Sequence, residues 1–224
     1  MNTEQLITPP PFIGDLSTQD AAVLATMAKG RRVLEFGSGG STQIFAEVSR
    51  EIVSMETDGD WILRTQRNLA RLEAKQPLIR ARVRFMHYSL DALVGLGPFD
   101  MIFVDGESSR RHDFAAKAFA ELGEGGIMAF HDSRTTERDV VLQVALWNSE
   151  EVEAVHFHIA GSNVAAICKA TMAPYQNWNL VEQRQGWEHG GNEDVPGDFY
   201  EKILDRTQRH WVPGQTPAPD RPKG

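Results

Sequence analysis

Cysteine is nearly absent: Cys168 is the single one among 224 residues, so no internal disulfide can form. Its place in the apolar run 164–168 predicts an inert, buried strand position. No apolar stretch approaches the roughly 20 residues a membrane-spanning helix requires. The first fifteen residues also lack the basic-then-apolar order of a secretory signal. These absences predict a cytoplasmic protein without a membrane partner. Basic charge is short too, with 23 Lys and Arg against 31 Asp and Glu and a net charge of -8. That balance argues against a broad nucleic-acid surface and favours small molecules or proteins as partners.

What is present suits a soluble globular chain: 41% apolar residues, enough for one core and one main domain. Short β-rich runs recur at 32–36, 52–56, 83–87, 99–105 and 126–131, which predicts parallel strands buried on both faces. Helical spacing fills the intervals. Ser41 is placed to cap a helix to about 50, with Ile44, Phe45 and Val48 on one face. Trp61, Ile62, Thr65, Leu69 and Leu72 make the inward face of a helix over 58–75. Phe114, Ala118 and Leu122 do so over 110–122, where the glycines of 123–126 are expected to stop it. A further helix over 137–148 leads to runs at 153–159 and 163–169, joined by Ala160-Gly161-Ser162, which predicts an antiparallel hairpin at the sheet edge. Strand and helix alternate, so the expectation is a doubly wound α/β fold.

The domain boundaries expected are an N-terminal extension over 1–20, the main domain over 21–170, a C-terminal extension over 171–212 and a disordered tail over 213–224. The tail carries Pro217, Pro219 and Pro222. Trp178, Trp187 and Trp211 leave three roles open for the extension: docking on the core, covering a site, or forming a homodimer.

The strongest local signal is Val33-Leu34-Glu35-Phe36-Gly37-Ser38-Gly39-Gly40-Ser41-Thr42, a strand entering a glycine-rich turn and then a helix. A chain turning sharply at the carboxyl end of a first strand approaches a ligand closely where side chains are missing. The ligand then lies beside the free N–H groups of a helix N-terminus. Glu56 follows at the end of the next strand, about twenty residues on, where a carboxylate can accept both hydroxyls of a ribose. Asp58 is an alternative for that role, or the cap of the next helix.

These residues, from about 31 to 169, resemble the class I S-adenosylmethionine-dependent methyltransferases, closest to their small-molecule O-methyltransferase subgroup. The resemblance implies a Rossmann-like, mostly parallel seven-stranded sheet closed by an antiparallel hairpin. It implies that Gly37, Ser38 and Gly39 border the donor's methionine part, that Glu35 holds its amino group through water or directly, and that Glu56 holds the ribose. Tyr88 and Ser89 would lie along the adenine. The implied activity is methyl transfer from S-adenosylmethionine to an oxygen or nitrogen of a small molecule. A non-catalytic partner subunit is the alternative, and a nicotinamide-dependent oxidoreductase shares only the glycine turn and the acid.

Asp105 and Asp132 end the strands at 99–105 and 126–131, side by side at the face where such sheets bind ligands. Two hard oxygen ligands invite Mg²⁺. The catechol-type and sugar-modifying O-methyltransferases are similar here, and a metal orients the acceptor hydroxyl in them. They carry Asn after the second Asp, whereas this chain has Ser133, and the sequence offers no third ligand. Asp105 also suits an amine of donor or acceptor. His131, then His112, are candidate general bases. Arg110, Arg111 and Arg134 are expected on a solvated basic face. His156 and His158 alternate on one strand and are assigned structural roles.

Overall fold

The computed structural model describes residues 13–74, 79–134 and 138–170. The C-terminal extension and tail, with Trp178, Trp187 and Trp211, lie outside the described residues, as do residues 1–12. No helix among the described residues is long and apolar enough to cross a membrane.

Seven strands form one sheet: β1 (Arg32–Phe36), β2 (Glu51–Glu56), β3 (Val83–His87), β4 (Phe99–Val104), β5 (Leu122–Phe130), β6 (Val152–His156) and β7 (Ala165–Lys169). Their order is β3-β2-β1-β4-β5-β7-β6. The first five run parallel, and β7 enters antiparallel between β5 and β6. The reversal between β1 and β4 opens a crevice at the carboxyl ends of those two strands, the usual ligand position in such sheets.

Helices cover both faces. On one, α1 (Thr18–Ala28), α2 (Gly40–Val48) and α3 (Gly59–Glu73) bury Leu24, Met27, Ile44, Phe45 and Leu69 against Val33, Ile52, Phe103 and Ile127. On the other, α4 (Ser108–Ala118) and α5 (Arg138–Trp147) bury Phe114, Val141 and Leu142 against Leu34, Phe36, Ile102 and Met128. Alternate residues of β1 and β4 therefore serve opposite cores, which is why those strands read as unbroken apolar runs. β3 lies at the edge, and its residues are at most half-buried. Phe36 stacks on Phe114 at 4.6 Å and meets Tyr88 at 4.9 Å, contacts worth about 0.5–1.5 kcal/mol each beyond the area they bury.

Several expectations change. Helix α1 starts at Thr18, capped by Ser17 in a reciprocal box with Asp20, so the boundary expected at residue 20 falls inside a helix. The glycines at 123–126 lie within β5; α4 ends at Ala118 through a single 3-10 turn. A side chain at Gly126 would strike Leu122 Cδ1 at 2.6 Å, so glycine there permits a tight strand entry rather than a helix stop. Helix α2 is capped at Gly39, and the Ser41 hydroxyl turns inward. β6 ends at His156 and His158 sits beyond it at φ 52°, so the two histidines do not share a strand. Cys168 is buried in β7, as its apolar setting predicts.

Candidate functional site

A cleft of about 660 Å³ opens over the carboxyl ends of β1, β2 and β4. Gly37–Gly40 form its floor, Glu56, Asp58, Trp61 and Arg64 one side, and Asp105, Gly106, Glu107, Arg111 and Asp132 the other. Ile13–Leu16 complete the rim.

The floor is held by close backbone approach. Gly37 has φ +94°, and a Cβ there would lie 2.7 Å from Gly106, so the turns after β1 and β4 touch only because both lack side chains. A Cβ on Gly40 would meet the Ile13 carbonyl at 2.1 Å, which seats the N-terminal segment directly on the start of α2. Gly39 is open by comparison: a Cβ would make ordinary contact with Trp61 Nε1 at 3.5 Å. The Trp61 indole N–H donates to the Ser38 carbonyl, and the Arg64 guanidinium stacks on the ring at 4.6 Å. Trp61 is therefore 39% exposed over the glycine turn, not in the core face of α3 where its spacing places it.

Glu35 is fully buried beneath this turn. Its carboxylate accepts from the hydroxyls of Ser41 at 2.5 Å, Thr42 at 2.6 Å and Ser54 at 2.6 Å. Burial pushes its pKa up to about 7, against the pull of those hydroxyls. It braces the turn from below and is not among the residues that line the cleft, so it meets no ligand there directly. Glu56 does reach the cleft. One oxygen accepts from the Ser38 N–H at 2.8 Å, and the other from the backbone N–H groups of Thr57 at 2.7 Å and Asp58 at 3.1 Å. Asp58 caps α3 through Asp60 N–H and Trp61 N–H.

Tyr88 and Ser89 stand apart from the cleft lining. Tyr88 packs on Phe36 and Phe114 with Arg110 over its ring at 5.2 Å, and Ser89 Oγ accepts from Ala92 N–H at 3.3 Å. Packing and a local cap account for both.

At the far side the structure gathers residues from five separate segments. His131 Nδ1 lies 3.3 Å from Asp105 and 3.4 Å from Asp132, and its Nε2 lies 3.6 Å from Asp20 of α1. Asp20 also takes the backbone N–H of Ser17 at 2.8 Å and of Asn163 at 2.6 Å. Asn163 in turn donates to Asp132 at 3.3 Å. Arg111, expected on a solvated face, is 7% exposed and bonded to Asp105 and Asp132 at 3.3 Å each. Asp132 turns into this cluster at φ +56°, a left-handed geometry that Asp tolerates better than most residues.

Burial alone would lower the His131 pKa, but hydrogen bonds to Asp105 and Asp20, with the charges of Asp105 and Asp132, raise it to about 10. The ring is an imidazolium near neutrality and has no free lone pair, which removes it as the general base. Burial pushes Asp105 above the ordinary carboxylate range, and His131 and Arg111 pull it only part of the way back. Asp20 is held well below that range: burial opposes this, and its bonds from His131, Ser17 and Asn163 prevail. The other candidate base, His112, bonds Gln143 at 2.6 Å and meets Trp147 edge to face on the outer face of α4 and α5, away from the cleft lining.

Ligand atoms of Asp105, His131 and Asp132 all lie within 4.8 Å of one another, a spacing that a shared cation can bridge. His131, immediately before Asp132, completes this group, but as an imidazolium it offers a cation no lone pair. Sequence reading misses Asp20, Asn163 and the inward Arg111.

No family model matches the chain, and no curated protein matches it. Solved structures do match its fold. A precorrin 8w decarboxylase of Methanobacterium thermoautotrophicum superposes with TM-score 0.55 at 16% identity, over 75% of this chain and 97% of its own. The O-methyltransferase TomG of Streptomyces achromogenes, solved with S-adenosylmethionine, gives 0.53 at 19% identity, over 72% and 83%. An O-methyltransferase of Bacillus cereus, solved with S-adenosylhomocysteine, gives 0.53 at 18%, over 71% and 84%. The chain has the Rossmann-like fold on which these methyltransferases are built.

Proposed function

We propose that the chain is an S-adenosylmethionine-dependent methyltransferase acting on an oxygen or nitrogen of a small molecule. The carrying observation is that the glycine turn, the Glu56 carboxylate and the Asp105 carboxylate border one cleft at the topological switch point. The residues present fit the donor: a floor with little side chain at Gly37 and Gly39, a carboxylate for the ribose hydroxyls, and acids for a molecule carrying both a sulfonium and an ammonium. The bound donor supplies a methyl group on a sulfonium leaving group, so the protein has little bond-making to assist.

Its residues have three tasks. Gly37, Ser38 and Gly39 border the methionine part beside the first N–H groups of α2. Glu56 holds the ribose. Asp105 takes a hydrogen bond from the acceptor's O–H or N–H and directs its lone pair along the line of the methyl–sulfur bond. The acceptor's lone pair forms the new bond to carbon, the carbon–sulfur pair returns to sulfur, and the acceptor's proton leaves to Asp105 or solvent. Burial raises the Asp105 pKa, which makes it a better proton acceptor than an exposed Asp. The cytoplasm is the proposed location.

Isothermal titration with S-adenosylmethionine and S-adenosylhomocysteine, and with NADH as control, tests this reading. Micromolar binding of the first two alone is expected. Silence with both would leave a methyltransferase-like partner subunit; heat from NADH alone would indicate an oxidoreductase.

A further inference from the structure

The space between Asp105 and Asp132 is where a divalent ion would have to sit, and this chain fills it with a side chain. Arg111 Nη2 lies 3.3 Å from Asp105 Oδ1, and Nη1 lies 3.3 Å from Asp132 Oδ2. The guanidinium cannot swing freely: Nε donates to the Gly106 carbonyl at 2.6 Å, Nη2 lies 3.4 Å from the Asp105 carbonyl, and the side chain is 8% exposed. The opposite flank is closed by His131, whose Nδ1 lies 3.3 Å from that same Asp105 oxygen and 3.4 Å from Asp132 Oδ1.

We infer that Arg111 is the resident cation of this site, that it takes the place of a metal ion between Asp105 and Asp132, and that methyl transfer here is metal-independent. This rests on the methyltransferase reading for its last clause only. Mg²⁺ and Mn²⁺ bind carboxylate oxygens at about 2.0–2.2 Å. An ion could reach that distance from both acids only by expelling a guanidinium that cannot be deprotonated. An expelled, still buried guanidinium would lose its carboxylate partners, which is strongly unfavourable. The Mg²⁺ invited by the sequence is therefore opposed by the geometry.

Arg111 also has a positioning role. It and His131 both bind Oδ1 of Asp105, which leaves Oδ2 without a hydrogen-bond partner among the described residues. One oxygen fixes the carboxylate in place and the other is available to the acceptor.

The test is a titration of Mn²⁺ into the full-length protein, followed by electron paramagnetic resonance of the free ion. The wild type should show no saturable binding, and Arg111→Ala should gain a site that Arg111→Ala with Asp105→Asn loses again. Arg111→Lys should stay blind to Mn²⁺. Transfer by the wild type should be unchanged by a strong chelator. Saturable, stoichiometric Mn²⁺ binding by the wild type would overturn the assignment, and that measurement needs no variant to fold. Donor titration reports separately: a protein that ignores both Mn²⁺ and S-adenosylmethionine retains Arg111 as its cation and loses the methyltransferase reading.

Discussion

The two sides of the cleft are built by opposite means. The glycine-turn side is a nearly continuous stretch, residues 35–56, in which backbone N–H groups and glycines do the shaping and one carboxylate, Glu56, lines the cleft. The far side draws on α1, β4, α4, β5 and the connection before β7, and it is made of side-chain charges that answer one another: Asp20, Asp105 and Asp132 against Arg111 and His131. A site shaped by backbone is written in adjacent residues. A site shaped by charge pairing is assembled by the whole fold.

Five substitutions would sharpen or break this contrast. Gly37→Ala should have the largest effect. It adds a Cβ at positive φ, 2.7 Å from Gly106, and should destabilise the fold by about 2–4 kcal/mol and remove measurable donor binding. Urea melts and calorimetry read both, and near-wild-type values would show that the floor is pliable. Glu56→Gln should weaken donor binding about 10- to 100-fold through loss of charge-assisted hydrogen bonds, with stability moved much less. Unaltered affinity in calorimetry would remove the ribose assignment.

On the far side the split should reverse. Asp105→Asn should lower kcat about 100-fold or more, within the range for a lost proton acceptor, while donor affinity changes by only about threefold. An equal loss in both would make Asp105 a donor-binding group.

The smallest effects are in the pH dependence of stability. His131 has a folded pKa raised from 6.5 to about 10, so its contribution is complete below 6.5 and is lost as pH rises through about 10. His131→Gln should flatten that limb of a urea-melt series. Glu35 acts with the same sign in a lower window. Its folded carboxyl keeps a proton that the unfolded chain releases, so stability should fall as pH rises from 4.5 to about 7 and then level off. Glu35→Gln should erase that decline. A decline that survives would assign it to another group.

The contrast also explains what was legible beforehand. The alternation of strands and helices, the hairpin, the glycine turn and Glu56 all follow from local pattern, and β1 and β3 fall at their predicted bounds. Helix α1 did not show itself because nearly all of its residues are buried, leaving no amphipathic period to find. Asp20 was hidden with it. Arg111 sits in a run of polar residues that reads as surface, and only the close approach of β4 and β5 turns it inward. Trp61 shares the spacing of the buried face of α3 at the helix's first turn, where the indole finds Ser38 instead of the core. Glu35 and Glu56 look alike in sequence, as acids at or near strand ends. Three hydroxyls surround the first, and the second opens to the cleft.

The bond from the Asn163 N–H to Asp20 spans 143 residues. A chain leaving the ribosome N-terminus first exposes the glycine turn and Glu56 early, with local contacts to shape them, whereas the charge cluster cannot close until the connection between β6 and β7 has emerged. Its acids and cations have no common geometry before that point. The two sides of the cleft therefore differ in time of assembly as well as in construction: the glycine-turn side is laid down first, and the charge cluster is completed by nearly the last turn of the sheet.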